Sequence, residues 1–189
     1  MNKSENLIKI KKEDAIDILD RIIGFINNCD NKASAMLGVF GVLLTILFSN
    51  EGVAEIKNII KVAINNNKCY GILYSAFLSG AGIIFAFGIF KLIQVLFPKT
   101  DCNSLKQEDI ECDSKIFFGS ICKNPTYKQY KLKLQECSED EYLNDIISQI
   151  YINAIICNKK FENYKTGVIT TIIGFLSFLI VWGIGTLVY

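Results

Sequence analysis

The stretch Asp30-Asn31-Lys32-Ala33-Ser34 decides the fold, because it joins a charged segment to an apolar one without a helix breaker. Neither Pro nor a Gly pair interrupts residues 14–34, and residues 33–49 carry no charge. Apolar positions before and after the stretch recur at steps of three and four, which is typical of one continuous helix. Asp30 lies in this series, so we expect its carboxylate to face protein rather than lipid. Ionisable groups at such a boundary are costly and usually functional.

Three segments are long and apolar enough to cross a bilayer. Residues 33–49, 69–97 and 166–189 contain no Asp, Glu, Lys or Arg apart from Lys91. A span needs about 20 apolar residues, with a lower limit near 17. The sequence therefore predicts an all-α integral membrane protein with three transmembrane helices. For the first and shortest segment, a buried core helix is the alternative.

The basic residues predict the orientation of these spans. Residues 1–32 and 98–165 carry most of the 20 Lys and Arg, whereas the connector 50–68 has only Lys57, Lys61 and Lys68. Basic flanks stay in the cytoplasm. We therefore expect a small cytoplasmic helical domain made of residues 1–32 and 98–165. The connector and the C-terminus then lie outside the inner membrane. No cleavable signal peptide is expected, because the N-terminus is polar.

Local signals place further elements. The connector predicts an amphipathic helix on the outer membrane surface, ending in a loop at residues 65–67. Residues 99–113 have no periodicity and are expected to form a flexible loop. Ser138 and Glu141 form a capping box that opens a helix running unbroken into the third span. Small residues in the second span favour packing within the chain, and an oligomer interface is the alternative.

The residues that carry most enzyme chemistry are missing. There is no His, and neither phosphate-loop glycine pattern occurs. Seven cysteines include no Cys-x-x-Cys pair, so neither structural zinc nor disulfides are expected. We expect no enzyme and no cofactor, although Ser-Lys or carboxylate pairs stay open. A net charge of +1 does not suggest DNA or RNA binding.

One group of polar residues at the inner membrane face is a candidate ligand site. Lysines neutralise phosphate as point charges, and Asp or Asn side chains hydrogen-bond to the edge of a base. The alternative is an Asp–Lys ion pair between helices, together with basic anchoring. Aromatic residues at 117, 118, 127 and 130 either stack on a base or fill a core. The candidate ligand-binding residues are Asn28, Asp30, Lys32, Lys159 and Lys160.

Three stretches carry a family resemblance. They are Ile-Asn-Asn-Cys-Asp-Asn-Lys-Ala-Ser-Ala-Met-Leu at residues 26–37, Phe-Phe-Gly-Ser-Ile at 117–121 followed by Tyr127, and the helical segment 145–160. In this order they resemble the transmembrane effectors of Pycsar antiphage systems, over nearly the whole chain. The family is paired with a cyclase that makes cyclic UMP or cyclic CMP on phage infection.

The resemblance implies that the nucleotide activates the effector, which then impairs the inner membrane and stops growth. A homo-oligomer is expected, and the identity of the nucleotide is left open. The rival hypotheses are a ligand-independent toxin or holin-like pore former, and a membrane scaffold subunit.

Overall fold

The computed structural model describes residues 10–97 and 113–189, and both parts are helical. The predicted all-α fold is confirmed. The described part of the chain divides into two compact units. Residues 10–27 and 113–159 belong to the first unit, and residues 28–97 and 160–189 belong to the second. The elements are α1 (Lys12–Leu47), α2 (Asn50–Asn66), α3 (Lys68–Leu96), α4 (Phe118–Ile121), α5 (Tyr127–Gln135) and α6 (Glu139–Val188).

Within the described ranges, three helices are long and apolar enough to cross a membrane, namely α1, α3 and α6. They contain 36, 29 and 50 residues. Helix α1 passes through the charged stretch at residues 30–34 without a break, as predicted. Helix α6 likewise runs into the last apolar segment as one helix. Both α1 and α6 therefore contribute residues to each unit.

In the first unit, side chains cap the helix ends as their sequence predicts. The Ser138 N–H donates to Glu141 Oε2 at 3.0 Å, and the Glu141 N–H donates to Ser138 Oγ at 3.3 Å. This reciprocal capping box confirms the predicted start of α6. The Lys12 ammonium lies 4.6 Å from the centre of the Tyr142 ring, which brings the start of α1 to the first turns of α6.

In the second unit, α2 folds back against α3 through a single residue. The predicted loop at residues 65–67 is too long, because Asn65 and Asn66 complete α2. Only Asn67 is non-helical; its N–H donates to the Ala63 carbonyl, and its side-chain oxygen accepts from Cys69 N–H at 3.1 Å. Asn67 thus ends one helix and begins the next, a role for which its short polar side chain is well suited.

Helices α3 and α6 approach each other closely in the second unit. A Cβ at Gly88 would overlap the backbone of Thr171, and one at Gly174 would overlap Phe85. Small residues let helices pack this closely in lipid. Beside this contact, the rings of Phe40, Phe85 and Phe175 form a cluster with centroids 5.5–5.9 Å apart.

Several predictions are not tested by this geometry. Gly80 has open space where a Cβ would point, so the oligomer-interface alternative for the small residues stays open. The domain boundaries and the membrane-surface position of α2 also stay predictions. The predicted loop at residues 99–113 lies outside the described residues except for Asp113.

Candidate functional site

An ion pair joins α1 and α6 at the start of the second unit. The Lys160 ammonium donates to Asp30 Oδ1 at 2.6 Å and to Oδ2 at 2.8 Å. It also donates to the Val95 carbonyl at 2.6 Å. The Lys160 side chain is 6% exposed and that of Asp30 is 32% exposed. A cation is therefore held in a buried position by three protein acceptors.

The Val95 carbonyl belongs to the last turn of α3, where backbone carbonyls have no N–H donor within the helix. Lys160 supplies the missing donor and so acts as a C-terminal cap for α3. Val95 itself is buried in a small core with Cys29 and Ala33, and Tyr164 packs against it. The ion pair thus lies where α1, α3 and α6 meet.

Of the five predicted ligand-binding residues, the structure brings Asp30 and Lys160 together. The side chains of Asn28, Lys32 and Lys159 are exposed. A lysine ammonium has three hydrogens to donate, and Lys160 already has three acceptors. This geometry favours the alternative of an Asp–Lys ion pair between helices for those two residues. Ligand binding by the set of five stays a prediction.

A second polar cluster, in the first unit, was missed by the sequence reasoning. The Asp145 side chain on α6 is fully buried, and its Oδ2 accepts from the Lys115 N–H at 2.6 Å. The Tyr130 hydroxyl on α5 donates to the Lys115 carbonyl at 3.0 Å. Both backbone groups of Lys115 are thus held by side chains from helices that lie later in the chain.

Ser114 shapes the turn that carries Lys115. Its hydroxyl oxygen accepts from Ile116 N–H at 3.2 Å and from Phe117 N–H at 3.0 Å, and its side chain is 2% exposed. Serine commonly folds the backbone back on itself in this way. The turn of residues 114–117 leads directly into α4, so its conformation sets where α4 begins.

One oxygen of Asp145 stands out. Among the described residues, no donor lies within hydrogen-bond distance of Asp145 Oδ1, although this atom is buried. Leaving a buried acceptor unpaired costs about 1–3 kcal/mol. The sequence does carry one signal for this position, because Asp145 lies on a predicted helix between the apolar residues Leu143 and Ile146. The cluster of Ser114, Lys115, Tyr130 and Asp145 is called the Asp145 cluster below.

The aromatic residues considered for base stacking behave differently from one another. The rings of Phe117 and Phe118 lie 4.6 Å apart, and Phe118 is 64% exposed. Tyr127 is also exposed, at 78%. Tyr130 is half-buried and held by its hydrogen bond to Lys115. Phe118 and Tyr127 therefore do not serve as core residues within their unit.

A cavity of about 370 Å³ lies in the second unit beside the aromatic cluster. Its walls are apolar, so it offers no partner for an anionic or strongly hydrogen-bonding ligand. Among the described residues, no group of three His, Cys, Asp or Glu side chains is placed to hold a metal ion. The cavity is lined by Leu44, Leu47, Phe48, Gly82, Phe85, Ala86, Ile89, Phe175 and Phe178.

Comparison with known proteins places the chain in a family. The sequence profile described as the Pycsar effector protein domain matches residues 14–188. The chain belongs to the Pycsar effector family. It is therefore a transmembrane effector of antiphage defence and not an enzyme, as the resemblance implied.

Two relatives of this Pycsar effector cover most of its length. It is 31% identical over 180 residues to the Pycsar effector protein GmPycTM of Gulbenkiania mobilis, which covers 91% of each chain. It is 27% identical over 168 residues to the Pycsar effector protein EcPycTM of Escherichia coli, with 89% of this chain and 85% of the relative covered. No solved structure matches the chain.

Proposed function

We propose that this Pycsar effector is activated by a cyclic pyrimidine mononucleotide, cyclic UMP or cyclic CMP, made by a paired cyclase. The activated protein impairs the inner membrane, so that an infected cell stops growing before phage matures. The observation that carries the proposal is the family match over residues 14–188, which includes all three apolar helices.

The proposed orientation follows the basic residues. The N-terminus and the segment 98–165 lie in the cytoplasm, where the nucleotide is made, and the C-terminal Tyr189 lies outside. The first unit is then the part that meets the nucleotide, and the second unit is the part within the bilayer. Lysines concentrated on the cytoplasmic side suit both membrane orientation and an anionic ligand.

The helix arrangement supports a response that reaches the membrane. Helices α1 and α6 each supply residues to both units. A ligand changes the membrane part only if it binds the resting and active states with different affinity. We propose that the active state is a homo-oligomer in which the spans pack differently and let ions pass.

The test is a calorimetric and thermal-shift titration of the detergent-solubilised protein. Cyclic UMP, cyclic CMP, cyclic dinucleotides and the uncyclised 5′-monophosphates are compared. We expect one cyclic pyrimidine nucleotide to bind and to raise the unfolding midpoint, since a ligand of the folded state stabilises it. Absence of binding by every nucleotide, together with membrane depolarisation on expression without a cyclase, would support the ligand-independent pore former instead.

A further inference from the structure

We propose that the Asp145 cluster recognises the base of the activating nucleotide, with the free Asp145 carboxylate oxygen accepting an N–H of that base. This inference rests on the proposed function, because it assigns a site to the ligand proposed above. All four residues of the cluster lie in the first unit, so the site is complete within that unit.

The chemistry of the free oxygen selects a hydrogen-bond donor as its partner. Asp145 Oδ2 is occupied by the Lys115 N–H, whereas Oδ1 is buried with no described donor in reach. Both candidate bases present a suitable donor on their pairing edge, the N3–H of uracil and the amino group of cytosine. A carboxylate accepting from the cytosine amino group is a known pairing in nucleic-acid recognition.

Neighbouring residues offer the other contacts that a nucleotide needs. Single bases are commonly held by stacking on aromatic rings, and the cluster includes Tyr130 and adjoins Phe117. Helix α5 carries Lys128, Lys131 and Lys133 within nine residues and has no acid. Lys133 pairs with Asp113, while Lys128 and Lys131 are exposed. The exposed charges make α5 basic, which suits an approaching monoanionic cyclic phosphate.

The buried position of the oxygen gives the ligand a way to act on the protein. Asp145 is fully buried and in direct contact with Lys115, so a base reaches Oδ1 only when neighbouring groups move, and we place that movement in the turn of residues 114–117. That turn is held to α6 by the Lys115–Asp145 hydrogen bond and to α5 by the Tyr130–Lys115 hydrogen bond. Binding therefore changes the contacts of the turn, and the bound and free states differ in structure as activation requires.

The decisive variant is Asp145→Asn. Its side-chain oxygen still accepts the Lys115 N–H, but the second position becomes an NH₂ donor that faces the donor of the base. We expect binding of the active nucleotide to weaken by about tenfold or more, the loss typical of a hydrogen bond to a charged group. The unliganded variant should unfold at or above the wild-type temperature, since a neutral amide costs less to bury than a carboxylate. Glu139→Gln is the control, because it also replaces an acid by its amide on α6 but at an exposed position. This variant should bind the nucleotide as the wild type does.

Modified ligands make the test independent of folding. Cyclic UMP methylated at N3, or cyclic CMP with both amino hydrogens replaced by methyl, lacks the donor. We expect the wild type to bind the modified form of its ligand about tenfold or more weakly, and Asp145→Asn to show a much smaller difference. If Asp145→Asn does not fold, the methylated ligands decide the question on the wild type alone, because that comparison needs no variant.

The outcomes separate the two proposals. A wild type that binds no cyclic nucleotide overturns the proposed function and this site with it. A wild type that binds, with Asp145→Asn binding equally well and the methylated ligands unaffected, overturns only the site. Loss of binding in Asp145→Asn with an intact fold and an unaffected Glu139→Gln control supports it.

Discussion

The Lys160 ammonium lies 2.6 Å and 2.8 Å from the two carboxylate oxygens of Asp30, across 130 residues of sequence. The Val95 carbonyl completes its set of acceptors. One cation thus ties α1 to α6 and caps α3 at the same point. The two partners differ in burial, since Asp30 keeps about a third of its side chain exposed and Lys160 almost none.

This asymmetry predicts unequal effects of removing either partner. Asp30→Asn leaves a buried ammonium without its carboxylate and should lower the free energy of unfolding by about 3–5 kcal/mol. Lys160→Met leaves a carboxylate that water still reaches, so its cost should be smaller. In the double variant the loss should be well below the sum of the two single losses. Chemical denaturation in detergent measures these values, with the exposed Lys32→Ala as the control; equal losses for both single variants would contradict the account.

Much of this contact is predictable from the sequence. The spacing of apolar residues places Asp30 on the side of α1 that faces other helices, and the second long helix carries Lys160 at its membrane boundary. The Val95 carbonyl is a backbone group, and no residue pattern indicates that a distant side chain will cap it. For that reason, only the structure shows the third acceptor of Lys160 and the use of all three of its ammonium hydrogens.

The predicted ligand set at the inner face is tested by function rather than stability. We expect Asp30→Ala and Lys32→Ala to abolish nucleotide-triggered depolarisation while the protein still reaches the membrane. Lys32 is the more informative of the two, because it is exposed and its loss leaves the Asp30–Lys160 pair intact. Depolarisation is followed with a potential-sensitive dye in cells that express the paired cyclase. If both variants still depolarise, these residues do not form the ligand site.

The close contact of α3 with α6 predicts a position-specific effect of side-chain size. Gly88→Val should force the two helices apart, because even a Cβ at this position would overlap the Thr171 backbone. Overpacking typically costs about 1–3 kcal/mol. Gly80→Val on the same helix meets open space and should leave the unfolding midpoint close to wild type. Equal midpoints for the two variants would argue against tight packing at Gly88.

The Asp145 cluster marks the limit of prediction from this sequence. The capping box of α6 is readable, since Ser138 and Glu141 act within one turn. The hydrogen bond from the Lys115 N–H to Asp145 spans 30 residues and depends on a turn formed by Ser114. Local patterns do not specify which side chain receives a backbone group that far away. The Asn67 junction was mispredicted for a related reason, because one residue serves as cap for two helices.

The capping box predicts a pH dependence of the start of α6. The hydrogen bond from the Ser138 N–H, followed by the charge of Lys115, lowers the pKa of Glu141 below its ordinary value of 4.5. Because its pKa is lowered in the folded state, the Glu141 carboxylate contributes its full stabilisation above pH 4.5. That stabilisation is lost as the pH falls through the lowered pKa. Glu141→Gln keeps the reach of the side chain but not the charge, so its disadvantage against wild type should shrink on acidification.

Thermal unfolding of wild type and Glu141→Gln between neutral pH and the region below 4.5 measures this effect. Ser138→Ala is the matched control, because it removes the hydroxyl cap, worth about 1 kcal/mol, but keeps the backbone N–H that binds Glu141. It should lower stability at every pH and leave most of the pH dependence in place, because the Ser138 hydroxyl makes the smallest of the contributions that lower the pKa of Glu141. A difference between wild type and Glu141→Gln that stays constant with pH would show that the charge of Glu141 does not stabilise the helix start.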